Sequence, residues 1–314
     1  MRVGPMTAMT MRIAGAILLV LLCSPARADY AQAFEAYVAK NYEKALELAT
    51  ASAKDGDFRA EAMLGALYFE GDGTEKNVEE GIRRYKIASD RGHMGAQFEL
   101  GLIYATGRSV PQDIDQAIKY FAMAADQDHV GAQYNLGLAH SGAGQREPNW
   151  PEAAKWFRKA ADAGNPEAQY SLGALYAEGA GLERNPVTAA EWIAKAAVQG
   201  LSDAQLDYGV MVFKGQGVQK DEQIGAQWLL RAASQGNVVA QNRIAHLLQA
   251  GRGIEADPTE AAKWHMLALK GGVKDDKLET FVGGLPEADR AEARDRADAW
   301  SPSKPEKRAA APAQ

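Results

Sequence analysis

The stretch "AQYSLGALYAEGAGLERNPVTAAEWIAKAAVQG", residues 168–200, is one complete copy of a unit that recurs along the chain. Its Leu172-Gly173 has counterparts at Leu64-Gly65, Leu100-Gly101, Leu136-Gly137, Tyr208-Gly209 and Ile244-Ala245, each 36 residues from the next with no insertion. A fixed period of this length is the mark of a stacked-repeat architecture, in which each unit buries its apolar face against its neighbours.

Other columns keep the same period. Ala60, Ala96, Ala132, Ala168, Ala204 and Ala240 stand four residues before the Leu column, and Tyr68, Tyr104, His140, Tyr176, Val212 and Leu248 stand four after it. At about 100° per residue these positions share one face of a first helix, helix A. Gly pairs such as Gly179/Gly181 and Gly215/Gly217 mark a loop. The next column is all Asn or Asp (Asn77, Asp113, Asn149, Asn185, Asp221, Asp257), side chains that accept from free N–H groups at a helix start. Pro186 and Pro258 suit the first turn, and Glu80, Gln116, Glu152 and Glu260 complete the pattern of a capping box. Helix B then carries Arg84, Tyr120, Trp156, Trp192, Trp228 and Trp264 in one column, with Ala four residues later, and is expected to end at Gly92, Gly164, Gly200, Gly236 and Gly272. The large ring beside an Ala is expected to face the Gly of helix A and to fill the gap between the pair.

The pattern Ala-Gln-x-x-Leu-Gly-x-x-Tyr, Gly-x-Gly, Asn/Asp, Ala-x-x-Trp and Ala-Ala-x-x-Gly resembles the Sel1-like repeat family, relatives of tetratricopeptide repeats. The resemblance implies an all-α fold, a right-handed α-solenoid of Sel1-like or TPR-like helix pairs. Six repeats are expected over 57–272. Residues 29–56 resemble a shorter TPR-like helix pair with Tyr42 and Ala45 in its packing positions. Residues 273–300 are expected to form C-terminal capping helices, with Leu278, Phe281 and Val282 in a truncated helix A and Trp300 as an anchor. Residues 301–314, without apolar periodicity, are expected to be a disordered tail.

Residues 1–28 are expected to be a signal peptide. Arg12 precedes the apolar run Ile13–Cys23, and Ala26-Arg27-Ala28 supplies small residues for cleavage before Asp29. The run is too short to span a bilayer, so no transmembrane segment is expected after cleavage and the protein is expected to be exported, periplasmic or secreted. Leu22 is bulky where lipoprotein processing needs a small residue, so Cys23 is not expected to be lipidated. The formal charge is −6; loss of residues 1–28 removes three arginines and the cysteine, leaving 32 basic and 41 acidic residues, a net −9. That balance argues against nucleic-acid binding and leaves the mature chain without disulfides; its acidic runs favour basic partners.

No catalytic constellation stands out. The five histidines lack an i, i+4 partner, and the Gly-x-Gly loops follow helices and lack the Lys-Ser/Thr of a phosphate cradle. No metal or cofactor is expected. Cysteine-rich members of the resembled family are associated with β-lactam binding or hydrolysis through a disulfide in each repeat, and those cysteines are missing here. The face of helix A opposite helix B is a candidate partner-binding surface: Phe98, Leu102, Tyr134, Leu138, Tyr170, Leu206 and Phe213. The same rings also fit a second reading, packing between successive A helices. In the sixth repeat the face is polar, with Asn242, His246 and Gln249. The leading expectation is a non-enzymatic scaffold or adaptor that binds a peptide or protein; the resemblance adds a periplasmic regulator of envelope signalling as one such role. The alternatives are an enzyme or small-ligand receptor of the cell envelope and a secreted host-directed effector.

Overall fold

The computed structural model describes residues 30–142 and 147–303, which hold sixteen α-helices and no strand. The signal segment lies outside the described residues. The helices fall into two compact units that divide at Gly81/Ile82.

The first unit contains α1 (Tyr30–Val38), α2 (Tyr42–Lys54), α3 (Phe58–Glu70) and the start of α4 (Val78–Asp90). Ala33, Ala45, Ala49 and Ala60 are fully buried with Leu64 and Leu67, so small side chains let these backbones approach closely. Asn41 and Asp57 accept from the Lys44 and Arg59 amides and so start α2 and α3.

In the second unit the A helices are α5 (Met94–Thr106), α7 (Val130–His140), α9 (Pro166–Glu178), α11 (Ser202–Lys214) and α13 (Val238–Ala250). The B helices are α6 (Ile114–Ala125), α8 (Trp150–Asp162), α10 (Pro186–Val198), α12 (Glu222–Ser234) and α14 (Pro258–Lys270). Each helix packs on the next in sequence, giving an all-α solenoid. A short α15 (Asp276–Gly283) and a polar α16 (Glu287–Asp298) follow. α16 lies on α14, and Trp300 meets Trp264 edge-on at 6.1 Å. The start of the expected disordered tail is ordered: Ser303 donates its N–H to the Ser234 carbonyl at 2.8 Å, because the last turn of α12 offers free acceptors. Residues 304–314 lie outside the described residues.

The Asn/Asp column caps every B helix of this unit, as Asp113 does for the Gln116 amide and Asp257 for the Glu260 amide. At Asn149 and Asp257 the reciprocal half of the expected capping box does not form. The Asn149 and Asp257 amides donate instead to the His140 and Leu248 carbonyls, so Glu152 and Glu260 are free to pair with Lys155 and Lys263.

The Gly column is met by a different residue from the one expected. A Cβ on Gly101 would lie 2.4 Å from the Phe121 ring, on Gly137 2.4 Å from Phe157, and on Gly173 2.5 Å from Ile193. The residue after the Trp therefore seats on the glycine. The Trp itself points one step around the helix into the preceding layer, where Trp192 packs with Phe157, Leu172 and Leu175.

Two polar columns went unread in the sequence. His93, His129, Asn165 and Asn237 cap the A helices, the histidines through Nδ1. His129 accepts from the Ala132 amide at 3.1 Å, and burial pushes its pKa below the ordinary imidazole value. A histidine depressed in the folded state contributes stability that is complete above its unfolded pKa of about 6.5 and is lost as pH falls through that value toward the folded one. His129→Asn keeps the cap without titrating. Its melting temperature is expected to fall less than that of the parent between about pH 7 and pH 5 in thermal melts.

The Gln of each Ala-Gln is buried. Nε2 of Gln97, Gln169 and Gln205 donates at 3.1 Å to the Ser89, Ala161 and Ala197 carbonyls of the preceding B helix. Their Oε1 atoms accept from Gln127, Gln199 and Gln235 at the end of the following B helix, at 2.7, 2.8 and 2.7 Å. At the equivalent positions stand Ala163 and Gly271, and there the buried Oε1 atoms of Gln133 and Gln241 receive no hydrogen bond. Ala163→Gln supplies the missing donor and is expected to stabilise the chain by about 1 kcal/mol in denaturant titration.

Candidate partner-binding face

Helix A starts at a side-chain cap in every copy but α11, where Leu201 holds the cap position, turns its Ala, Leu and Gly columns toward helix B, and leaves the opposite face to the neighbouring A helices or to solvent. The structure divides the predicted face into two kinds of residue. Phe98, Leu102 and Tyr134 are half-buried and engaged within the array. The Phe98 ring lies 4.3 Å from His129 and 5.9 Å from Phe121, and Tyr134 lies 5.8 Å from Phe157. Leu102 packs on the cluster around Phe121 and Leu136, and Leu206 on the cluster around Ile244 and Trp264. Leu138 is exposed.

Tyr170 and Phe213 open onto space. A cavity of about 510 Å³ is lined by Tyr170, Ala174, Glu178, Arg184, Asp207 and Val210, among others. The Tyr170 hydroxyl donates to Asp207 Oδ2 at 2.7 Å, linking α9 to α11. Burial pushes the Tyr170 pKa up, and the Asp207 carboxylate raises it further, so the phenol stays protonated. A second cavity of about 210 Å³ lies between α11, α12 and α13, lined by Val210, Phe213, Lys214, Leu229, Arg243, His246 and Leu247. Val210 borders both. The apolar surface thus reaches α13 through Leu247, a position the three-residue face pattern did not include. Lys214, the last residue of α11, and Arg243, in the middle of α13, were not legible in the sequence, since single charged residues carry no periodic signal.

The polar residues of the sixth repeat have a partner inside the fold. Asn242 Nδ2 donates to Asp275 Oδ2 at 3.1 Å, and His246 Nε2 lies 2.8 Å from the same oxygen. Burial raises the Asp275 pKa, but the hydrogen bonds from His246, Asn242 and the Leu278 amide outweigh it and hold the carboxyl well below its usual range. Asp275 also caps α15, so this cluster docks the C-terminal helices. His265, in the column of Phe121 and Phe157, is buried beside it, and burial lowers its pKa. Among the described residues no group of three or more His, Cys, Asp or Glu is placed to hold a metal ion, and no helix is long and apolar enough to cross a membrane.

Comparison with known proteins follows the same architecture. The family model "Sel1 repeat" matches seven consecutive segments, residues 24–57, 59–93, 95–129, 130–165, 166–201, 202–237 and 238–273. The first takes in the helix pair that the sequence reading set apart as TPR-like. A Sel1 repeat protein from Oxalobacter formigenes superposes with a TM-score of 0.66 at 29% identity, over 76% of this chain and 96% of that one. A protective antigen present in uropathogenic Escherichia coli strains, displaying an SLR fold, superposes with a TM-score of 0.55 at 27% identity, over 85% of this chain and 67% of that one. No curated protein matches the chain.

Proposed function

The chain belongs to the Sel1 repeat family, and on that premise we propose that it is an exported, non-enzymatic adaptor that holds a peptide or protein segment on the face of its A helices. Sel1 repeat proteins are generally protein-interaction scaffolds, and the family is typically non-catalytic. The observation that carries the reading is the pair of adjoining cavities along α9, α11 and α13, with Tyr170 and Phe213 in their walls. Aromatic side chains in concave, partly desolvated sites are the usual anchors of a protein partner. The signal pattern of residues 1–28 supports an activity outside the cytoplasm, in the periplasm or beyond it, and the reading includes regulation of envelope signalling as one such role.

The test is site-specific photo-cross-linking in the native cell. A benzophenone side chain at Leu138, on the A-helix face, or at Gln216, in the loop that lines the larger cavity, is expected to give a defined protein adduct in the envelope or secreted fraction. The same group at Lys159 or Gln227, exposed on B helices, is expected to give none. Adducts confined to the B-helix positions would refute the reading, and recovered protein whose N-terminus is not Asp29 would refute export by this signal.

A further inference from the structure

The smaller cavity combines apolar walls with positive charge. Its walls are Val210, Phe213, Leu229 and Leu247, and its lining also includes Lys214 and Arg243. Several cations elsewhere in this part of the chain are matched to carboxylates. Lys220 and Arg252 pair with Glu222 at 3.0 and 2.7 Å, Lys263 and Arg296 with Glu260 at 2.7 and 3.2 Å, and Lys270 with Asp298 at 2.6 Å. Lys214 and Arg243 are exposed and have no carboxylate partner among the described residues. The third ionisable group of the lining, His246, is already held by Asp275. In a chain of net charge −6, two unmatched cations at an apolar cavity form a local reversal of sign.

We propose that this cavity takes a bulky apolar side chain of an acidic peptide, with Lys214 and Arg243 holding the carboxylates that flank it. The proposal rests on the adaptor reading and adds the chemistry of the partner. A volume of about 210 Å³ is below the roughly 300–1,000 Å³ of sites that enclose a drug-sized molecule, which fits one anchoring side chain better than a whole ligand. The apolar walls supply burial for that side chain, and the cations select what stands beside it and steer its approach. The occupant is a peptide and not an alkyl carboxylate, because Val210 also borders the larger cavity, whose polar groups a chain lying across both would meet. There Glu178, Arg184, Asp207 and Gln216 offer donors and acceptors that a peptide backbone satisfies and a hydrocarbon chain leaves unpaired. The net acidity of the chain, which by itself favours basic partners, gives way here because screening confines exposed charges to a range of about 10 Å.

The experiment is selection of random dodecapeptides displayed on phage against the immobilised full chain. Fluorescence anisotropy of the labelled winners follows, on the parent protein, Lys214→Glu with Arg243→Glu, and Tyr170→Ala. The winners are expected to carry Phe, Leu or Trp beside Asp or Glu. Their affinity is expected to fall about 10-fold or more in the double charge variant and to weaken with added salt, while the melting temperature stays that of the parent. Both charged residues are exposed, so this variant is expected to fold. Winners without the acidic-apolar pairing, binding unchanged in the double charge variant, or displacement by sodium laurate at equal concentration would each overturn the proposal. Winners that lose binding in folded Tyr170→Ala but not in the charge variant leave the adaptor face standing and refute only this assignment. An empty selection refutes the peptide site and leaves that face to a folded partner.

Discussion

Trp192→Ala is expected to cost about 3 to 5 kcal/mol of stability, the range for truncating a buried tryptophan in a close-packed interior. The indole is 7% exposed and belongs to the cluster of Ala153, Phe157, Ala160, Leu172 and Leu175, so one ring joins α8, α9 and α10. Its outer face is also used: Lys195 Nζ sits 3.6 Å from the ring centroid, and the Arg158 guanidinium 5.3 Å. Truncation opens a void between two successive layers, and neighbours fixed by Gly173 on one side and by alanines on the other cannot close it. Urea titration followed by circular dichroism is the measurement. An unchanged midpoint would mean that the tryptophan column does not lie between layers.

Gly217→Ala is expected to cost about 3 kcal/mol or more, although it adds a single methyl group to a surface loop. The backbone there has φ +71°, in the left-handed region that costs a side chain roughly 1–2 kcal/mol. The larger part is contact. A Cβ at this position would lie 1.9 Å from the Pro186 carbonyl oxygen, at the start of the preceding B helix. Gly181 and Gly253 meet the same geometry against Trp150 and Glu222, with distances to the carbonyl oxygen of 2.6 and 2.1 Å. The second glycine of each pair is thus where one repeat's loop touches the start of the preceding repeat's B helix, and overpacking there moves backbone against backbone. The companion substitution Gly164→Ala tests this separation of terms: its φ is +92° and nothing lies within 4 Å of the added carbon, so it is expected to lose only the conformational part. Equal losses in the two variants would show that spacing between repeats is not set at Gly217.

The repeat was legible because its columns are periodic and each has a local cause. Asp257 caps a helix and Gly173 admits a neighbour whatever lies further away. The placement of the tryptophans was not legible, since Trp192 and Ile193 are adjacent in sequence and only the crossing of the helices shows which one meets Gly173. The glutamine column was visible as Ala-Gln but silent about its use, because its hydrogen bonds run 8 residues back and 30 residues forward. Of the candidate face, the apolar residues were readable from their spacing on helix A. The cavities, and the cations that line the smaller one, arise only when α11, α12 and α13 are set side by side.

The broken glutamine tie beside Ala163 has a mechanical consequence. Where the tie is complete, one buried side chain links the ends of two successive B helices through the A helix between them, so tension along the array is shared by three elements. At Gln133 the link reaches back to α6 through a long 3.5 Å hydrogen bond and finds nothing to grip on α8. The seam between α7 and α8 therefore lacks the tie that joins α9 to α10 and α11 to α12. In an array pulled from its ends, tension at this repeat passes from α7 to α8 through apolar packing alone at this position, while the layers from α9 to α12 share it through the glutamine tie as well.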